Sequence, residues 1–174
     1  NLKDSVAFYR KITFKNDKPI GIVNDFYKSG QKQWEGKLIS NEPEINEGKC
    51  TWYYENGNKS NEVNFVNGLK EGEEIKYYNN GKIDSKHNYV KGKLEGKTES
   101  FYITNGATEL IGNYEKKKKK GKWIWYFDNG NEELTIRYGD NGKKDGKEVS
   151  YYENGNIKSE TFFLNGMEEG ERKE

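Results

Sequence analysis

The sequence predicts an all-β fold: an elongated, single-layer antiparallel β-meander of about six hairpin repeats of 24 to 25 residues. Three observations predict it. The first is a self-similarity that fills nearly all of the 174 residues. The stretch "TWYYENGNKSNEVNFVNGLKEGE" at 51–73 returns a hundred residues later as "SYYENGNIKSETFFLNGMEEGE" at 150–171, and a fixed period of this length marks repeat architectures. The second is Asn-Gly recurring between runs of alternating side chains, a strong short-range hairpin signal. The third is a composition unable to fill a thick core. Leu, Ile, Val and Phe make up 33 of 174 residues, 34% of residues are charged and the mean hydropathy is −1.21. Disorder is the weaker reading, because the formal charge is only +1 and 14% of residues are aromatic.

Each unit begins at a glycine: Gly21, Gly48, Gly72, Gly96, Gly121 and Gly146. Two adjacent aromatics follow, at Phe26-Tyr27, Tyr53-Tyr54, Tyr77-Tyr78, Phe101-Tyr102, Tyr126-Phe127 and Tyr151-Tyr152. A turn glycine comes next, at Gly30, Gly57, Gly81, Gly106, Gly130 and Gly155, preceded by Asn everywhere except at Ser29. Eight residues beyond the last five of these sits another aromatic: Phe65, Tyr89, Tyr114, Tyr138 and Phe163. The first unit is stretched to 27 residues. Residues 1–20 read as a partial N-terminal repeat, 21–170 as the array and 171–174 as the start of a further unit, which together make 14 strands.

Reading Asn-Gly as a two-residue type I′ turn pairs Tyr152 with Ile157 and Ser150 with Ser159. The longer, Gly-bounded connections such as "NGLKEG" then return the chain to the next hairpin. Strand alternation puts Tyr54, Tyr78, Tyr102, Phe127 and Tyr152 on one face with the later aromatics, where ladders of rings stabilise a sheet that lacks an aliphatic core. A three-residue turn with a bulge would move one row across, and the sequence leaves both open.

The string Phe65-x-x-Gly68-x-x-x-Gly72, followed by Tyr77 and Asn80-Gly81, resembles the MORN repeat, and more closely its bacterial variant, which is grouped as antitoxin-like. The resemblance runs from about Phe14 to Gly170. Where the MORN pattern has Gly-x-Gly, this chain has Gly72-Glu73-Glu74, Gly96-Lys97-Thr98 and Gly121-Lys122-Trp123, so a tight backbone contact at the second glycine is not implied. The resemblance implies a single-layer sheet of hairpins acting as a protein-interaction or assembly module, with lipid association proposed for some eukaryotic relatives. It implies no catalysis and no cofactor.

Individual residues point the same way. His87 is the only histidine and lacks a patterned partner, so a structural role is expected. Cys50, the sole cysteine, reads as a small half-buried side chain and excludes an intrachain disulfide. Glu73-Glu74 and Glu168-Glu169 lack the spaced ligands of a calcium loop and read as solvated turns, and no metal site is expected. Lys116, Lys117, Lys118, Lys119 and Lys120 form a basic loop that is either solvated or an electrostatic contact for an acidic partner or an anionic membrane. Trp52, Trp123 and Trp125 interrupt a row otherwise filled by Ser100, Ser150, Lys76 and glutamates. They form a candidate binding face with Tyr54, Tyr78, Tyr102, Phe127 and Tyr152, or else pack on one another. The Trp52 patch, with Val63 and Phe65, and the Trp123/Trp125 patch, with Leu134, Ile136 and Tyr138, each need separate cover.

The leading expectation is a non-enzymatic scaffold that binds a protein, the antitoxin or immunity partner of a toxin being what the resemblance suggests. Alternatives are a self-assembling structural or envelope-associated protein joined edge to edge, and a binder of membrane or polysaccharide surfaces. Interleaved charges of 30 against 29 argue against nucleic acid. No apolar run is long enough for a membrane helix. The chain begins at Asn1 without Met, so either processing and export or trimming is expected and no compartment follows. Fourteen strands at about 4.8 Å spacing span about 65 Å, so small-angle scattering is expected to report an extended particle; a compact sphere would contradict this reading.

Overall fold

The computed structural model describes residues 9–173. Of the expected partial repeat at 1–20, residues 1–8 lie outside the described residues, as does Glu174. Fourteen strands follow in chain order as one open antiparallel meander. They are β1 (Tyr9–Lys15), β2 (Lys18–Phe26), β3 (Lys32–Asn41), β4 (Glu44–Tyr53), β5 (Lys59–Val66), β6 (Leu69–Tyr77), β7 (Ile83–Val90), β8 (Lys93–Phe101), β9 (Thr108–Glu115), β10 (Lys118–Tyr126), β11 (Glu132–Tyr138), β12 (Lys144–Tyr151), β13 (Ile157–Leu164) and β14 (Met167–Lys173). The chain divides into two units, residues 1–82 with 89–92, and residues 83–88 with 93–174.

The turn chemistry differs from the sequence reading, and the two kinds of connection exchange roles. At Asn56-Gly57, Tyr54 N–H donates to the Asn58 carbonyl at 2.8 Å and Gly57 N–H to the Tyr54 carbonyl at 2.9 Å. Only Gly57 has positive φ, +88°. This is a three-residue loop, a type I turn closed by a left-handed glycine, and not type I′. The two-residue turns with both φ positive lie in the other connections: Asn16-Asp17, Asn67-Gly68, Lys91-Gly92, Lys116-Lys117 and Asn165-Gly166. Tyr152 therefore meets Asn156 rather than Ile157, its N–H donating to that carbonyl at 2.9 Å. Tyr151 faces Ile157, and one residue of β13 is then left over as a bulge, which restores Ser150 opposite Ser159. The same single-residue slip occurs between β4 and β5 and between β10 and β11, so the side-chain rows beyond these three turns fall where a two-residue loop would have put them. Between β8 and β9 they do not, because a four-residue loop brings Ser100 opposite Leu110 instead of Ile111.

In the first unit the buried cluster is Val23, Trp34, Leu38, Cys50, Val63 and Phe65, with Ile12 and Trp52 against it. Trp34 sits opposite Trp52, and Cys50 opposite Val63, so these side chains share a face. Trp52 is wedged between Trp34 and Phe65, each at a centroid distance of 6.2 Å. Leu38 fills the late-aromatic position of the stretched first repeat and is 1% exposed. Arg10 grips Asp25 through Nε at 2.6 Å and Nη2 at 2.7 Å, closing one side of this cluster.

In the second unit Trp123 is 2% exposed. It meets Tyr114 at 5.1 Å, Tyr138 at 5.9 Å and Trp125 at 6.0 Å, and its indole N–H donates to the Asn113 carbonyl at 3.2 Å. The ring lies flat on Gly112, where a Cβ would come within 2.3 Å of it. Gly36 does the same for Trp34 in the first unit. Each fully buried Trp is thus offset by a glycine on its own face, which lets a single layer bury a large ring. Gly112→Ala is expected to cost about 1 to 3 kcal/mol by overpacking, and Trp123→Ala about 3 to 5 kcal/mol. The double variant should cost clearly less than the sum, because removing the ring removes the clash; additive losses in urea unfolding would rule out this contact.

Candidate functional site

Most of the sequence-derived candidates work first as fastenings between hairpins. Tyr54 follows the last residue of β4, and its hydroxyl donates to the Tyr77 carbonyl of the next unit at 2.7 Å. Tyr27 does the same to Tyr53 at 2.7 Å and Tyr102 to Tyr126 at 2.6 Å. Phe127 holds the equivalent place without a hydroxyl, Tyr78 is half-buried, and Tyr152 is 53% exposed. The turn asparagines add a second tie along the same edge. Asn56 and Asn58 Nδ2 donate to the Asn79 carbonyl, and Asn129 and Asn131 to that of Glu153. Asn56 Oδ1 also accepts from Asn58 N–H at 3.0 Å, fixing the loop from inside.

The opposite edge is tied by the acid that precedes four of the six leading glycines, Gly48, Gly72, Gly96 and Gly146. Glu47 accepts from Asn67 N–H at 2.7 Å, Glu71 from Lys91 at 2.8 Å and Glu95 from Lys116 at 2.8 Å. Gly68 N–H donates to the Asn46 carbonyl and Gly92 N–H to that of Lys70. These donors belong to two-residue turns and would otherwise lack a protein partner. No unit-by-unit reading of the sequence exposes them, because donor and acceptor lie about twenty residues apart; the recurring Glu-Gly dipeptide was the available signal.

The three tryptophans of the sequence reading separate by burial. Trp123 is enclosed, while Trp52 and Trp125 are half-buried. Trp125 pairs with Leu134 on one side and Leu110 on the other. Trp34, unremarked in the sequence reading, is as enclosed as the other core residues at 6% exposed; its signal was Trp-Glu-Gly, a large ring two residues before a glycine. The lysine run is not a loop. Only Lys116 and Lys117 form the turn, and β10 already begins at Lys118. Lys119 Nζ sits 4.3 Å from the Trp123 centroid, 5.1 Å from Tyr138 and 5.4 Å from Trp125. Burial, with Lys144 nearby, pushes its ammonium below the ordinary lysine range. Lys120 pairs with Asp140.

The acidic pair Glu73-Glu74 also departs from the expected solvated turn. Glu73 is exposed, but Glu74 is 1% exposed. Its burial alone would raise the carboxyl; Lys70 at 2.5 Å and Asn61 at 3.1 Å hold it below the usual range instead. Glu168 and Glu169 are exposed as expected. Cys50 is fully rather than half-buried, and burial pushes its thiol up to about 11, which is the state of an inert core cysteine. His87 Nδ1 lies 2.6 Å from Thr98 Oγ1. Among the described residues no three acidic, His or Cys side chains gather as metal ligands.

Across the sheet from the tryptophans, Glu62 collects Lys49 at 2.7 Å, Lys59 at 3.0 Å and the Tyr77 hydroxyl at 2.5 Å. Its burial opposes ionisation, yet these three partners bring its carboxyl down to about 2, and Tyr77 is pushed up to about 12 by burial and by Glu62.

With this geometry in place, the comparison with known families is direct. The MORN repeat variant matches residues 46–67, 70–91 and 144–165. These three segments are MORN repeat variants. Each matched segment opens two residues before a leading glycine and closes at a two-residue turn, so the MORN unit is one Asn-Gly hairpin, as at β4–β5 and β12–β13. The hairpin that holds Trp123, Trp125 and the lysine run falls outside the matched segments. No curated protein matches the chain. MORN repeats are a non-enzymatic repeat type.

Glu62 sets a pH prediction. A carboxyl depressed in the folded state contributes stability that is complete above the ordinary value of 4.5 and is lost as pH falls through about 2. Lys49 and Lys59 are 66% and 45% exposed, so the loss over that window is about 1 to 3 kcal/mol after screening. Urea unfolding of Glu62→Gln should show a flatter stability profile between pH 4.5 and 2 than the parent; an unchanged slope would remove Glu62 from the account.

Proposed function

We propose that the chain is a non-enzymatic scaffold that binds protein through the sheet face that carries Trp52 in the first unit and the one that carries Trp125 in the second, with an antitoxin or immunity role toward a toxin as the partner class that the MORN resemblance suggests. One observation carries this reading. Recurring residues such as Tyr27, Tyr54 and Tyr102 tie hairpins together, whereas Trp52 and Trp125 stand half-buried in a row that is Lys76, Ser100 and Ser150 in other units. Recurring side chains hold the sheet; the non-recurring ones carry the individuality of this array. Tryptophan is enriched among the residues that dominate binding hot spots. A sheet face also offers side chains at fixed spacing, so partner choice can change residue by residue without changing the scaffold.

The test compares Trp125→Ala with Trp123→Ala. Bait carrying the parent sequence is used to capture partners from extracts of the source cell, and any captured protein is titrated against both variants. Trp125→Ala should weaken binding by about 2 kcal/mol or more while lowering the melting temperature much less than Trp123→Ala does. Equal losses of melting temperature, or an undiminished affinity, would sink the face as a binding surface. Large assemblies of the purified chain in light scattering would support edge-to-edge self-association instead.

A further inference from the structure

One edge of the second unit breaks the pattern of the others. At Glu95 and Asp145 of this unit, as at Glu47 in the first unit, an acid stands before the leading glycine and accepts a turn N–H. At Gly121 that place is taken by Lys120, and the next turn answers with Asp140. That turn is also different: Gly139 N–H donates to the Lys143 carbonyl and Gly142 N–H to Gly139, a three-residue loop where the neighbouring connections have two. Beside it lies a cavity of about 390 Å3 whose lining includes the cations Lys120 and Arg137, the acids Asp140 and Asp145, and Asn141 and Asn165. Lys118 lies along Gly142, joining the lysine run to Lys143 on the adjacent turn. Lys116, Lys117, Lys118, Lys143 and Arg137 are exposed and make no ion pair among the described residues. Of the acids beside them, Glu115 and Asp140 face Lys120, and Asp145 accepts from Asn165 N–H at 3.5 Å.

We propose that this edge is a docking site for an acidic peptide segment of a protein partner, one carboxylate entering the Arg137 cavity and others running along the lysines. The inference rests on the reading of the chain as a protein-binding scaffold and adds the chemistry of one contact. Five uncompensated cations at one edge of a chain whose net charge is +1 are a local field, and such fields steer and hold anions. The cations are spread over two turns that lie about 10 Å apart, two strand spacings. An extended peptide places alternate side chains about 6.6 to 7 Å apart on one side, so several carboxylates engage at once where a single phosphate would reach only one group. A guanidinium fork suits a carboxylate, whereas flexible lysines act as point charges that follow a chain. The recessed cavity favours a side chain over a flat bilayer, which would leave it unfilled.

The experiment measures anisotropy of a fluorescein-labelled octaglutamate peptide with the full chain at 50 and 200 mM salt. The variant is K116N/K117G/K118Q, whose turn becomes the Asn-Gly pair that the same chain uses at Asn67-Gly68, so its melting temperature should not fall. Parent binding at 50 mM salt, at least tenfold weaker in the variant and with a shallower salt dependence, is expected; Arg137→Gln should weaken it separately. No binding by the parent, or equal binding by the variant, would overturn the proposal. So would tighter binding to phosphatidylserine vesicles than to the peptide with the same sensitivity to K116N/K117G/K118Q, which would assign the edge to a bilayer. If the peptide fails while capture sensitive to Trp125→Ala persists, only the acidic edge is rejected; if both fail, the scaffold reading falls with it.

Discussion

Hairpin ends leave backbone donors and acceptors for which the next hairpin supplies the protein partner, and the bonds made there hold successive repeats in register. A single layer has no second sheet or helix to take up these groups, and an unpaired polar group shielded from water costs about 1 to 3 kcal/mol. The chain meets the requirement twice per repeat. At one edge a tyrosine hydroxyl and asparagine amides donate to carbonyls of the next turn; at the other an acid accepts from the next turn's N–H. The three-residue loop, the bulge that follows it and the repeated Glu-Gly dipeptide all follow from making these bonds in register.

The second constraint is volume. With few aliphatic residues, burial is concentrated in a small number of large rings, and a ring as large as indole fits a single layer only where its neighbour has no side chain. Gly36 beneath Trp34 and Gly112 beneath Trp123 provide that space. Lysine stems complete the cover: Lys70 lies over Tyr89, Lys119 over Tyr138 and Lys144 over Phe163, placing methylene groups on aromatic faces while the ammonium gains from the ring quadrupole. Polar composition and a dry interior row are compatible for this reason.

These constraints divide the residues by function. Positions that recur are committed to structure, which leaves the departures from the repeat to give the protein its particular surface. The hairpin from Lys118 to Gly142 has the most of them: two tryptophans, a lysine in place of an acid, and a longer return turn. It lies outside the segments that match the MORN repeat variant. Loops and rows that depart from a scaffold's rule without weakening it are where recognition is expected.

The sequence by itself determined the fold class and the fourteen-strand meander, because those follow from period-two alternation and a 24-to-25-residue recurrence. It determined Ser150 opposite Ser159 even under the wrong turn type, since a three-residue loop plus one bulge and a two-residue loop give the same sum of positions. The tertiary structure alone decided which turn is which. Asn-Gly fits either geometry, and in the structure it takes the three-residue loop with a bond inside the loop, Asn56 Oδ1 accepting from Asn58 N–H, a bond repeated at Asn154 in the last such turn, and Asn56 adds a tie to Asn79 of the next hairpin. It also decided that Trp123 is enclosed while Trp125 is half-buried, that Glu74 is buried and paired, and that three of the five lysines belong to a strand. Burial and charge pairing depend on contacts across strands, some between residues twenty or more positions apart, and a local pattern carries no record of them.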